Sequence, residues 1–77
     1  MIKRELETIH DSHKSFYHKA FVIYNDSDIL LMSYGTVICT IKNGTLFMGC
    51  DERNLSVTTR RHFKEFCKQF SHKIQEQ

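Results

Sequence analysis

A short polar stretch near the N-terminus, with the sequence HDSH, holds residue types that can bind metals or cleave bonds. His10 and His13 are three positions apart, and Asp11 or His18 could join them as ligands. A metal site needs three or four ligands in a fixed geometry and further groups that orient them. No cysteine lies close in sequence and no spacing matches a zinc pattern, so we expect neither a metal nor a cofactor here.

The same stretch offers a nucleophile, since Ser12 could combine with Asp11 and the distant His62. Such a set needs an adjacent base and an oxyanion hole inside a pocket. A small sheet with one helix rarely provides that pocket, so we expect no catalytic residue and no enzymatic activity. The alternative is a loop in which Asp11 and Ser12 cap backbone N–H groups.

Basic residues are concentrated on one face of the C-terminal segment. Arg60, Arg61, Lys64 and Lys68 fall within about 100° of arc on a helix, opposite its phenylalanines. Glu65 can pair with Arg61 at i, i+4, which leaves the other three cations without a partner in the helix. These four residues are therefore predicted to bind a partner with an anionic surface. The alternative interpretation is a solvated helix face.

Aromatic residues of the predicted strands suggest a second binding surface. Tyr17, Phe21 and Tyr34 could line one sheet face beside Lys19, the combination used by stacking platforms for single-stranded nucleic acids. The strands carry only Lys19 and Lys42 as cations, and the element order is not βαββαβ. We therefore predict Tyr17 and Lys19 as additional partner-binding residues and keep nucleic-acid binding as the alternative function.

One long periodic segment, residues 56–74, is predicted to form the helix that positions the basic face. Its apolar residues recur with helical spacing. They are Phe63, Phe66, Cys67, Phe70 and Ile74. Thr58 or Thr59 is expected to cap its start, and Phe66 should be its most buried residue.

Four segments rich in β-branched and aromatic residues precede the helix and predict strands at residues 16–24, 29–34, 36–42 and 45–49. Asn43-Gly44 favours a type I′ turn in a two-residue hairpin. Short connections favour antiparallel neighbours. The predicted fold is α+β: a four-stranded antiparallel β-meander packed on one C-terminal α-helix, with a short N-terminal arm at residues 1–14. Residues 1–77 should form a single domain.

Composition adds few constraints. The net charge is +2, and the three cysteines form no C-x-x-C pair. The N-terminus lacks the apolar core of a signal peptide, and the longest apolar run is far too short to span a membrane. We therefore expect a cytoplasmic protein with free thiols and no membrane partner.

Three segments carry a resemblance to a known group of proteins. They are residues 7–20 (ETIHDSHKSFYHKA), residues 33–37 (SYGTV) and residues 58–66 (TTRRHFKEF). Together they cover much of the chain and resemble a family of small, mostly uncharacterised proteins from phages, prophages and plasmids of Firmicutes. Its pattern is an HDS-x-KSFY start and a TT-x-RH-x-x-EF helix. This chain departs from that pattern at His13 and His18.

The resemblance implies a function. Small proteins of this provenance include inhibitors of CRISPR–Cas9. The expected function is therefore that of a phage-encoded, non-enzymatic binding protein that inhibits a host defence nuclease, foremost Cas9, in the host cytoplasm. Its partner would be the nuclease or its guide-RNA complex.

The resemblance also implies that the two polar motifs meet in space, either as a buried polar network or as one binding surface. The residues concerned are His10, Asp11, Ser12, Thr58, Thr59 and His62. His62 lies beside Phe66 on the helix, and we expect it to be partly buried with a ring nitrogen bonded to the arm or the sheet.

Overall fold

The computed structural model describes residues 1–12 and 15–74. Five antiparallel strands follow one another in chain order across one sheet. They are β1 (Ile2–Glu5), β2 (Ala20–Asn25), β3 (Asp28–Ser33), β4 (Thr36–Lys42) and β5 (Thr45–Met48). One α-helix, α1 (Val57–Gln69), lies between the short 3-10 turns Glu52–Asn54 and Ser71–Lys73. The α+β class and the C-terminal helix are confirmed, whereas the predicted count of four strands was one too low.

The additional strand, β1, lies in the segment predicted as an arm. Its Ile-Lys-Arg-Glu sequence shows no alternation of apolar and polar residues, and its side chains are mostly exposed. Backbone pairing with β2 therefore holds this strand in the sheet. The Lys3 ammonium lies 4.5 Å from the centre of the Phe21 ring on the neighbouring strand. The amide of Leu6 donates to the Ala20 carbonyl at 2.9 Å, and the Leu6 side chain is buried in the core.

The strand predicted from residue 16 begins at Ala20 instead. Tyr17 and His18 have φ angles of 51° and 61°, which a β-strand does not contain. The Lys19 amide donates to the Phe16 carbonyl at 3.0 Å and closes a turn around them. The bounds predicted for β4 are confirmed, those of β3 differ by one residue at each end, and β5 ends one residue earlier than predicted.

Two hairpins close through a pair of consecutive residues that both have positive φ. Asn43 and Gly44 have φ angles of 52° and 79°, so the predicted type I′ geometry of this turn is confirmed. Tyr34 and Gly35 have the same pair of angles between β3 and β4. A tyrosine in the left-handed region is uncommon, because its Cβ crowds the backbone there.

The core lies between the sheet and α1. Val22, Leu31 and Cys39 are aligned across β2, β3 and β4 and are buried on the face that the helix covers. Phe66 is completely buried against this face, which confirms it as the most buried helix residue. The buried apolar cluster contains Leu6, Phe16, Ala20, Val22, Ile29, Leu31, Ile38, Cys39, Ile41, Leu55, Phe63 and Phe66.

The helix begins at Val57, and Ser56 is its N-cap. The Ser56 hydroxyl accepts the Thr59 amide at 3.1 Å. The prediction that Thr58 or Thr59 caps the helix was therefore wrong, because the helix starts before them. The helix ends at Gln69, so Ile74 lies beyond it, after the final 3-10 turn.

The buried side of α1 differs from the predicted apolar stripe. Its buried residues are Thr59, His62, Phe63, Glu65 and Phe66, whereas Cys67 and Phe70 are only partly buried. The N-terminal segment packs along the side that carries His62 and Glu65, and it thereby widens the buried face beyond the sheet. No helix in the described part of the chain is long and apolar enough to cross a membrane.

Candidate partner-binding site

Glu65 joins the helix to the N-terminal segment. Its side chain is 2% exposed, and its Oε1 accepts the amides of His10 and Asp11, both at 2.8 Å. A buried carboxylate is stable only where hydrogen bonds replace its lost water. The backbone amides of the HDS segment, residues 10–12, therefore bond this segment to the helix.

Gln69, one turn further along α1, extends this connection. Its Nε2 donates to the second Glu65 oxygen at 2.9 Å and to the Glu7 carbonyl at 2.6 Å. Three carbonyl or amide groups between residues 7 and 11 thus bond to two helix side chains. This arrangement fixes the segment after β1 against the helix without regular secondary structure.

The two predicted polar motifs also meet through an ion pair. The Arg61 guanidinium lies 3.7 Å from a carboxylate oxygen of Asp11, whose side chain is 12% exposed. The sequence interpretation paired Arg61 with Glu65 on the helix surface, but Glu65 is buried and bonded to the arm. Sequence spacing alone did not reveal this role of Glu65, because a glutamate one helical turn after an arginine is usually exposed.

A second buried network connects the helix to β3. The Ser33 hydroxyl lies 2.8 Å from His62 Nδ1 and 3.1 Å from the Thr59 hydroxyl. All three residues are buried. The expectation that a His62 ring nitrogen bonds to the arm or the sheet is confirmed, although the residue is fully rather than partly buried. The sequence did not predict a role for Ser33, because the strand that contains it was interpreted as a nearly continuous run of apolar residues.

His62 is held in its neutral form by its surroundings. Burial lowers the pKa of its imidazole, and the nearby Asp11 carboxylate opposes this effect only in part. Its ring packs edge-on against Phe16 at 4.5 Å and lies 5.8 Å from the Tyr34 ring. His62 is therefore part of an aromatic cluster rather than an exposed acid or base.

A cleft of about 360 Å³ runs between the HDS segment and α1. We call it the basic groove. It is lined by His10, Asp11, Val57, Arg60, Arg61, Lys64, Glu65 and Lys68. All four predicted basic residues thus lie along one groove, where four cations face two carboxylates that already bond to the protein.

Three cations of the basic groove have no partner among residues 1–12 and 15–74. The side chains of Arg60, Lys64 and Lys68 are exposed and make no hydrogen bond or ion pair with another described residue. They lie one helical turn apart along α1. Packing does not explain them, and their charges repel one another weakly.

The other two predicted binding residues lie in a separate cleft of about 270 Å³, which we call the aromatic cleft. Its lining consists of Ser15, Phe16, Tyr17, Lys19, Tyr34, Thr58, Arg61 and His62. Tyr17 and Lys19 lie here together, and Arg61 lines both clefts. Phe21, which the sequence placed on the same surface as the two tyrosines, lies instead on the sheet beneath Lys3.

The remaining predicted site residues are exposed or lie outside the described part of the chain. His10, Ser12 and Thr58 have exposed side chains, and His13 lies outside the described residues. In the described part of the chain, no group of three or more His, Cys, Asp or Glu residues has the geometry to hold a metal ion.

The three cysteines are free thiols. Cys39 is buried in the core, and burial, together with the neighbouring Cys67 and Cys50, raises its pKa to about 12. Burial and the nearby Glu52 also raise the pKa of Cys67. Thiolates are the reactive form of cysteine, so Cys39 and Cys67 are poor nucleophiles at neutral pH.

Comparison with known proteins gives one match. No curated protein and no solved structure matches this chain. A family model described as a family of unknown function, DUF8033, matches residues 4–77, which include β1, the HDS segment, both clefts and α1. The chain therefore belongs to the DUF8033 family.

Proposed function

We propose that this protein is a non-enzymatic binding protein that docks on an anionic macromolecular surface through the basic groove. The single observation that carries this proposal is the row of exposed cations Arg60, Lys64 and Lys68. Unpaired like charges on one helix face cost a little stability and attract an oppositely charged surface.

The carboxylates of the groove support the same proposal. Glu65 accepts three hydrogen bonds from the protein itself, and Asp11 lies beside Arg61. The two acidic groups nearest to the cations therefore serve the internal structure. An external anion would complete the charge balance of Arg60, Lys64 and Lys68.

The proposed partner is a host defence nuclease, foremost Cas9 or its guide-RNA complex. This part of the proposal comes from the resemblance to small phage and plasmid proteins, and the protein would act by occupying a surface that the nuclease needs. A polyanionic guide RNA or an acidic protein patch offers the charge that the groove lacks.

A cleavage assay tests the proposed partner. Purified protein is added to guide-loaded Cas9 from several type II-A systems, and cleavage of a matched DNA is followed. We expect cleavage to fall when the protein is equimolar with the nuclease, and not to fall with heat-denatured protein. Unimpaired cleavage by every orthologue at a large molar excess would contradict inhibition of Cas9.

A second candidate function is binding of nucleic acid without a nuclease, as an accessory or regulatory protein. It is favoured by the spacing of Arg60, Lys64 and Lys68 along one helix, which can follow a phosphate backbone. Because phosphate contacts release counterions, affinity should fall steeply between low and physiological salt. No binding to DNA or RNA even at low salt would contradict this candidate.

A further inference from the structure

Two exposed tyrosines form the walls of the aromatic cleft. Tyr17 and Tyr34 are 67% and 55% exposed, and the buried rings of Phe16 and His62 lie beneath them. The Tyr34 amide donates to the Lys19 carbonyl at 2.9 Å, which holds the two turns side by side. The cleft therefore offers aromatic faces to solvent above a buried floor.

The backbone that presents these tyrosines is strained. Tyr17 has a φ of 51° and Tyr34 a φ of 52°, and neither residue is of a type that favours the left-handed region. Such conformations are energetically unfavourable and occur often at binding sites. Glycine or asparagine would fit both turns with less strain, so turn formation does not explain the choice of tyrosine.

Two cations lie at the rim of the aromatic cleft. Lys19 is exposed, and Arg61 keeps 47% of its side-chain surface accessible beside Asp11. No carboxylate lines this cleft within the described residues. Aromatic faces combined with Lys and Arg match a ligand that has a planar ring and a negative charge, as a nucleotide does.

The size of the cleft limits what enters it. A volume of about 270 Å³ is below the range of about 300–1,000 Å³ that is typical of sites for drug-sized ligands. It suits one ring system rather than an extended molecule. Arg61 also lines the basic groove, so a strand whose base enters the cleft could continue with its phosphates along α1.

We propose that the aromatic cleft binds one unpaired nucleotide of a single-stranded nucleic acid. The base stacks on Tyr17 and Tyr34, and its phosphates contact Lys19 and Arg61. This site is distinct from the cations of the basic groove, and the proposal holds whether the basic groove takes a protein or a nucleic acid.

Tyrosine fluorescence gives a direct test, because the chain has three tyrosines and no tryptophan. A Tyr24→Phe background leaves only the two cleft tyrosines as fluorophores. The probe is an oligothymidylate of about eight nucleotides, a length within the site sizes of single-strand-binding proteins. An abasic oligomer with the same number of phosphates is the matched control. We expect the oligothymidylate to quench the fluorescence and to bind about tenfold more tightly than the abasic oligomer.

Substitutions of exposed aromatic residues test which side chain contacts the oligothymidylate. Tyr17→Ala should weaken oligothymidylate binding, measured by calorimetry, about tenfold, whereas Tyr17→Phe should retain it because the stacking face remains. Phe47→Ala removes another exposed aromatic ring, on β5, and should leave binding unchanged. Equal affinity for the abasic oligomer, or equal losses in Tyr17→Ala and Phe47→Ala, would overturn the proposal. Loss of Cas9 inhibition alone would not affect it, since the probe contains no nuclease.

Discussion

At the scale of single residues, Glu65 shows how an ordinary surface residue type can become a central structural one. Its sequence context is typical of an exposed helix, with cations on both sides. The structure buries it because the backbone of the HDS segment supplies two N–H donors at 2.8 Å. The residue that accepts from these donors depends on the path of the N-terminal segment along the helix. Local sequence spacing contains no information on that path.

Replacing Glu65 with alanine should destabilise the protein by about 3 kcal/mol. The amides of His10 and Asp11 would lose a charged acceptor, and hydrogen bonds to charged groups contribute about 1.5–3 kcal/mol each. Glu52→Ala is the matched control, since Glu52 is exposed and its loss should change the free energy of unfolding by less than about 0.5 kcal/mol. Chemical denaturation measures both variants. Equal denaturation midpoints for Glu65→Ala and Glu52→Ala would show that the Glu65 contacts contribute little to stability.

His62 makes stability depend on pH in a predictable direction. Because burial lowers its pKa in the folded state, the unfolded chain takes up a proton first as pH falls below the ordinary histidine range of about 6.5. The contribution of neutral His62 is therefore complete above that pH and is lost as the pH decreases towards the folded-state pKa.

His62→Asn should make the melting temperature less dependent on pH between about 7.5 and 5, while lowering it at pH 7.5 through lost ring packing. Asparagine can still bond to Ser33 but does not titrate. The control is His10→Asn, the same change of residue type at an exposed side chain, measured over the same pH range. The same pH dependence in His62→Asn as in the wild type would contradict this role of His62.

At the scale of elements, the helix could be predicted in type but not in its orientation. The spacing of Phe63, Phe66 and Phe70 correctly identified an amphipathic helix that covers the sheet. It did not reveal that His62 and Glu65 are buried as well, because both acquire their partners from distant segments. Polar residues on a helix flank are buried only where tertiary hydrogen bonds compensate for their lost hydration.

Phe66→Ala should cost about 3–5 kcal/mol, as large core truncations do. Phe66 is completely buried between the sheet and the neighbouring Phe70 ring, whose centre is 4.9 Å away. For a chain of this size such a loss is a large part of the total stability. Phe47→Ala, at a side chain that is 54% exposed, should change the melting temperature far less. An unchanged melting temperature in Phe66→Ala would contradict the packing described above.

Strand boundaries show where sequence patterns stop being informative. Asn43-Gly44 located one turn correctly because these residue types adopt positive φ readily. Tyr17 and His18 form a comparable turn without that signal, so β2, the strand after this turn, was predicted to start too early. β1 was not predicted, because an edge strand with exposed side chains needs only backbone partners and shows no apolar pattern.

At the scale of the whole molecule, the sheet face that α1 does not cover is partly shielded from solvent by its own side chains. Phe21, Leu30 and Met32 lie on the side away from α1 and are partly buried by their neighbours. Lys3 lies over the Phe21 ring and shields it from solvent. Arg60, Lys64 and Lys68 lie along α1 without a partner among the described residues, whereas on the sheet side Lys3 lies over a ring and Lys42 lies 3.9 Å from a carboxylate oxygen of Asp28.

The proposed site can be separated from the fold by reversing charge at two positions. Lys64→Glu with Lys68→Glu changes the net charge from +2 to −2 and removes two unpaired cations of the basic groove. Lys3→Glu with Lys42→Glu makes the same change in charge on the sheet side of the molecule. Substitutions of exposed charges usually alter stability by no more than about 0.5 kcal/mol, so both variants should fold.

The most direct test of the central claim is the ability of these two variants to inhibit guide-loaded Cas9 and to bind it in a pull-down, with the melting temperature measured in parallel. We expect the Lys64/Lys68 reversal to abolish inhibition and binding while its melting temperature stays near that of the wild type. The Lys3/Lys42 reversal should retain both activities. Full inhibition and binding by the Lys64/Lys68 reversal would contradict the basic groove as the partner-binding site.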